Sequence, residues 1–302
     1  MKPSRALVPY LRTAPLLWLF LLVGGVAASY AGWRELGVIG LAQGPLRLAH
    51  LGLSVWIIQR LTQGQSEPDP QVRRLWPEIV ILTLYLLWLA LIFSQQVRRL
   101  DFSHYAPGYS MMVQFLRHNV AGPLISAFGW EGWNAARLNA LLLNLTTQML
   151  IPLIPFLLLG YGLRSLGFRS RWWWLALPLS LVTLLFTIVA GGIITWTRLP
   201  IAFLFNLGIS GLTGEFWARG LLQTRLERVL NHPLHGAVLA ALIFGLMNVP
   251  ANMRLHGSDW PLVIALCIGP QALVGFGLGY LWLKTRSLAP GALWQAFGGS
   301  LV

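Results

Sequence analysis

Cysteine and acidic residues are what this chain has least of. A single cysteine, Cys267, leaves no partner for an internal disulfide, and a lone thiol in an apolar run packs as a small hydrophobe. Only 9 of the 302 residues are Asp or Glu, against 22 Lys or Arg, and charged types together make up 10%. A soluble domain carries about 25% charged residues, so that class is excluded. The net charge of +13 would suit a nucleic-acid binder, but the basic residues lie mostly between apolar runs, as membrane-flanking charges do. No nucleic-acid partner is expected. Walker, dinucleotide-binding and zinc-protease signatures are missing, as are internal repeats and low-complexity runs.

What the chain has in quantity is apolar surface. Hydrophobic residues reach 56% with 15 tryptophans, and the mean hydropathy is +0.64. A spanning helix needs about 20 apolar residues. Nine segments qualify, near 14–33, 37–58, 76–95, 138–161, 172–194, 199–222, 235–252, 260–283 and 287–302. Arg47 and His50 interrupt the second, and the last is short. The expected fold is all-α: a polytopic transmembrane bundle of about nine spanning helices in a lipid bilayer. The first segment resembles a signal peptide, with Lys2, Arg5 and Arg12 before it and Ser29-Tyr30-Ala31 as a cleavage site. It is expected to stay as an uncut anchor.

Thirteen basic residues fall on the N-terminal side of the membrane and seven on the other, which predicts an N-inside, C-outside topology. Trp172, Trp173 and Trp174 adjoin Arg164, Arg169 and Arg171 as an interfacial belt would. Residues 61–75 are polar and proline-bearing, a cytoplasmic linker. Residues 96–137 read as an outer loop containing an amphipathic helix that lies in the interface. The expected division is an N-terminal region, 1–158, and a second membrane domain, 159–302. A prokaryotic plasma membrane or an internal membrane such as the thylakoid is the expected location.

Chemistry concentrates in GEFWARG, residues 214–220. Glu215 and Arg219 stand four apart, so they share one helix face and can pair. Ionisable residues at bilayer depth face a protein interior or a water-filled cavity. The pair reads equally as a functional site or as an ionic lock between helices. Two later helices repeat the four-residue spacing: Phe244 with Asn248, and Gln295 with Gly299.

From about residue 159 onward the chain resembles the CPBP family, the CAAX proteases and bacteriocin-processing enzymes, of the type II CAAX prenyl endopeptidase kind. GYGLRSLGFRSRWWWLAL resembles that domain's entry. GEFWARGLLQTRLERVLNHPLHGAVLAALIFGLMNVP resembles its first two motifs, and LVGFGLGYLWLKTRSLAPGALWQAF its closing helix pair. The resemblance implies an intramembrane protease in which a glutamate pair with an arginine, two histidines and an asparagine carry catalysis. Here Gly214 replaces the first glutamate, while Glu215 and Arg219 remain. Phe244 remains, but Asn248 stands for one histidine, Gln295 for the other and Gly299 for the asparagine.

Amide hydrolysis needs a base for water and an acid for the leaving amine. Glycine offers neither, and the amides of Asn248 and Gln295 do not accept a proton near neutral pH. Glu215 could serve as a base, but Arg219 favours its charged form and weakens it. The expected function is a catalytically inactive, CPBP-like pseudoprotease acting as a scaffold, assembly factor or subunit with another membrane protein. The alternatives are an active CAAX-type endopeptidase using Glu215, and a transporter or channel. Glu215, Asn248 and Gln295 are expected to line one cavity.

No cofactor or metal is expected. His50 is a candidate ligand for haem or chlorophyll, although a hydrogen-bonded core histidine is the simpler reading. His232 and His235 have a chelating spacing but no carboxylate or cysteine beside them, so a solvated loop is expected. His104, His118 and His256 read as surface residues. Glu78, next to Trp76 and Pro77 at a helix start, reads as interfacial. Gly275 and Gly279 form a small-xxx-small face suited to close helix contact inside the bundle.

Overall fold

The computed structural model describes residues 14–64, 72–94, 105–169, 171–190 and 196–301. The basic residues ahead of the first apolar segment, residues 65–71 of the 61–75 linker, and residues 96–104 with His104 lie outside the described residues.

Every described element is helical, and all nine apolar segments form helices: α1 (Pro15–Leu36), α2 (Gln43–Leu61) and α3 (Leu75–Ser94) come first. A helix over 109–128, α4, precedes α5 (Gly132–Leu158) and α6 (Trp173–Val189). The C-terminal bundle comprises α7 (Leu199–Val229), α8 (Pro233–His256), α9 (Trp260–Thr285) and α10 (Leu288–Gly298). A polytopic helical bundle in a lipid bilayer is therefore the fold.

Among the described residues, six stretches are long and apolar enough to cross a membrane, and the first of them, Pro15–Leu61, contains both α1 and α2. α6 falls short at 10–17 residues. α10 has 11 residues, about 16 Å at 1.5 Å per residue.

α1 and α2 fold back on each other through a 3₁₀ turn, Gly37–Ala42. Their backbones touch: a Cβ on Gly40 would lie 1.8 Å from the Gly32 carbonyl oxygen. Any side chain at either position would separate the arms. The Ser29 hydroxyl, inside the suggested cleavage site, donates to the Leu41 carbonyl at 2.9 Å and ties the hairpin.

Two apolar cores hold the bundle. One gathers Phe20 of α1, Leu51 and Ile58 of α2, Leu179 of α6, Leu273 and Phe276 of α9 and Trp294 of α10. The other joins Leu82 and Leu89 of α3 and Phe156 of α5 to Phe216, Trp217 and Leu221 of α7. Both cores draw on either side of residue 158, so the N-terminal helices wrap the C-terminal bundle. Large side chains on the opposite face of α1, including Trp18, Leu22 and Val26, are exposed, as lipid-facing positions are.

Candidate functional site

α7 organises the polar interior. Glu215, Arg219, Gln223 and Glu227 recur every fourth residue and all are buried. Arg219 Nη2 donates to the Gly275 carbonyl at 2.7 Å, and Gln223 Nε2 to the Gly279 carbonyl at 2.9 Å. One turn along α7 matches one turn along α9, so the two helices run parallel. The glycine face of α9 thus offers its carbonyls to α7 within the bundle. At the far end Arg286 grips Glu227 with both Nη atoms, at 3.1 and 2.7 Å.

Over Phe216–Gln223 the α7 backbone widens into π-helical turns, a feature frequent at functional sites. No residue pattern in the sequence announced it. The Thr224 hydroxyl reaches back to the Arg219 carbonyl at 3.0 Å.

Glu215 and Arg219 are enclosed rather than solvated. Their closest approach is 3.6 Å, from Oε1 to Nε. The guanidinium lies 5.2 Å from the Phe244 ring centroid, close enough for a cation–π contact. α10 closes over the carboxylate at Gly291, where a Cβ would sit 2.2 Å from Glu215 Oε2. Gly214 faces Gln295, whose Nε2 would be 3.3 Å from a Cβ built there. Asn248 sits at a break in α8, half-buried, and its amide donates to the Phe244 carbonyl one turn back, at 2.9 Å. Gly299 is exposed at the end of α10.

A cavity of about 450 Å³ opens beside this arrangement, and its lining differs from expectation. Gln295, Gly298, Gly299 and Trp294 of α10 contribute, but Glu215 and Asn248 do not. The packing explains the difference: Gly291 lets α10 press onto Glu215, and Asn248 is engaged within its own helix. The other walls include Gln43, Arg47 and His50 of α2, Thr183, Phe186 and Thr187 of α6, Ser210 of α7, and Val274 and Leu278 of α9. Sequence reasoning singled out His50 but could not place α2 against α10.

Residues 196–298 match the family model described as type II CAAX prenyl endopeptidase Rce1-like. The segment is similar to Rce1-like domains, which is consistent with a CPBP family member. The match spans about a third of the chain and begins after the expected entry segment GYGLRSLGFRSRWWWLAL, residues 160–177. No curated protein and no solved structure gave a match.

The matched segment is pinned to the N-terminal helices by a second buried ion pair. Arg225 Nε meets Glu78 Oε2 at 3.0 Å, and neither side chain is more than 2% exposed. The Tyr161 hydroxyl donates to Glu78 Oε1 at 2.5 Å, and the backbone N–H of Arg74 donates to the same oxygen at 2.8 Å. Glu78, read as interfacial, is fully buried within the protein, where Arg225 and three donors, the Arg73 and Arg74 N–H groups and the Tyr161 hydroxyl, satisfy it. Arg225, counted among the basic residues flanking the membrane, is part of the interior. Burial and the hydrogen bond to Glu78 together hold the Tyr161 hydroxyl above the ordinary phenol range.

Other candidates stand apart from the Rce1-like motif positions. His50 Nε2 lies 3.2 Å from Thr183 Oγ1, with the ring flanked by Phe186 and Trp294. His232 and His235 stack at 3.9 Å at the start of α8. His232 Nδ1 accepts the His235 backbone N–H as a helix cap, and its burial, with His235 adjacent, depresses its basicity. Cys267 is buried, its Sγ accepting from the Asn252 amide at 3.3 Å. Among the described residues, no three His, Cys, Asp or Glu side chains gather as a metal would require.

Proposed function

We propose that the chain is a catalytically silent, CPBP-like membrane protein that serves as a scaffold, assembly factor or subunit beside another membrane protein. The observation that carries this reading is the pairing of Gly214 with Gln295. Where the family resemblance places an acid facing a histidine, this chain sets a missing side chain against an amide. Neither can take a proton from water near neutral pH. The remaining acid, Glu215, sits in a packed interior beside Arg219 and outside the cavity lining, so a scissile bond in the cavity would not meet it.

An orientation with the N-terminus in the cytoplasm belongs to this proposal. The excess of basic residues on that side supports it and survives removal of the buried Arg225.

The deciding experiment pairs two measurements on protein extracted gently in neutral detergent. Prenylated peptides and membrane-peptide substrates should remain uncut, and native electrophoresis with mass spectrometry should show a co-purifying membrane protein. Cleavage that disappears in Glu215→Ala would overturn the proposal in favour of an active endopeptidase. An inactive monomer without a partner would overturn the scaffold role.

A further inference from the structure

Among the described residues, Arg47 is the one Arg or Lys side chain lining the cavity, with His50 one turn along α2, and no carboxylate lines it. It makes no hydrogen bond or ion pair among the described residues. Glu35, which attracts it at longer range, makes its own ion-pair contact with His256, at 3.8 Å. A guanidinium one turn inside a membrane helix is costly unless it meets water or an anion. Gln295 adds a second unsatisfied group: its Oε1 is buried without a hydrogen-bond partner.

The lining mixes polar and apolar side chains, and Gln43 and Arg47 lie near the start of α2 and Thr187 near the end of α6. Phe186, Val274 and Leu278 supply an apolar wall that reaches the middle of α9. The volume, about 450 Å³, falls within the roughly 300–1,000 Å³ of small-molecule sites. A guanidinium recognises carboxylate and phosphate oxygens through paired N–H donors.

We propose that this cavity binds a single-chain anionic amphiphile, its carboxylate or phosphate head on Arg47 and its hydrocarbon chain along Phe186, Val274 and Leu278. The site goes beyond the scaffold reading and holds whether or not the chain cleaves peptides. Arg47 belongs to the N-terminal hairpin, outside the segment that matches the Rce1-like family model.

The test uses the full chain in a nonionic detergent, with binding read by native mass spectrometry and titration calorimetry. Four probes separate the sources of the anion: oleate, monooleoyl phosphate, oleyl alcohol and inorganic phosphate. Oleate and monooleoyl phosphate should bind at least about tenfold more tightly than oleyl alcohol, the scale of one charge-assisted contact. Arg47→Gln should remove that preference and Arg47→Lys should retain part of it, which a merely structural arginine would not do. Gly298→Leu should weaken both oleyl anions by filling the cavity while leaving Arg47 in place; Gly298 has open space beyond Thr183. Equal binding of oleate and oleyl alcohol would overturn the proposal, as would unchanged binding in Arg47→Gln or Gly298→Leu. Inorganic phosphate binding as tightly as monooleoyl phosphate would overturn the amphiphile and leave a site for a bare anion. Should Arg47→Gln fail to fold, the head-group comparison on the unmodified chain and the Gly298→Leu variant decide.

Discussion

Arg225 reaches across 147 positions of sequence to meet Glu78 at 3.0 Å, and this contact joins the third helix to the seventh. Arg225 also donates to the Gly220 carbonyl at 2.7 Å and lies over the Phe156 ring at 4.5 Å. Removing one member of such a pair strands a buried charge, at about 3–5 kcal/mol. Glu78→Gln and Arg225→Met should therefore each lower the melting temperature in detergent. The double variant should recover much of the loss, and a double-mutant cycle with purely additive effects would contradict the pairing.

Glu215→Gln should destabilise in the same way by leaving Arg219 with Gly275 and Phe244 alone. The expected loss is again about 3–5 kcal/mol. An unaltered melting temperature would mean that the pair is hydrated and energetically idle.

Helix contact at Gly211 should tolerate no side chain. A Cβ there would lie 2.5 Å from the Ala292 carbonyl oxygen, so Gly211→Ala must push α10 away from α7. Overpacking of this kind typically costs about 1–3 kcal/mol. Gly52→Ala is the matched control: nothing lies within 4 Å of its Cβ position, and a helix-interior alanine should be neutral or stabilising by up to about 1 kcal/mol. Thermal denaturation of the two variants side by side checks both.

Stability should fall as the medium acidifies through the histidine range. His232 is held below its ordinary value of 6.5 by burial and then by His235, so the folded state prefers the neutral ring. A depressed folded pKa contributes stability that is present at neutral pH and lost as pH falls. Protonation also removes the Nδ1 acceptor that caps α8, an effect of about 0.5–2 kcal/mol. Melting curves between pH 7.5 and pH 5 should show a slope that is reduced in His232→Asn, which keeps a capping oxygen without the titration.

At the alkaline end Tyr161 should act with the opposite sense. Its folded value is raised above the ordinary 10.0, by burial first and the Glu78 hydrogen bond second. A raised folded value contributes stability below the unfolded pKa that disappears as pH rises through the folded one. Stability should thus decline above about pH 10, and Tyr161→Phe should flatten that decline.

The sequence by itself determined the solvent of this protein and the identity of its apolar helices. Long apolar runs with so few charges have no stable home in water, and every backbone group in lipid must bond within a helix. The motif positions Gly214, Glu215, Arg219, Phe244, Asn248, Gln295 and Gly299 were legible too, since spacing and residue type are local properties. Only the tertiary structure decided which polar groups meet. Glu78 and Arg225 become partners only when α3 packs on α7, and nothing within either segment encodes the other. The cavity took shape the same way. Gly291 draws α10 onto Glu215 and excludes it, while the α1–α2 hairpin brings Arg47 and His50 to face Gln295. Distances of this kind depend on how close two backbones can approach, and the packing of other helices sets that limit.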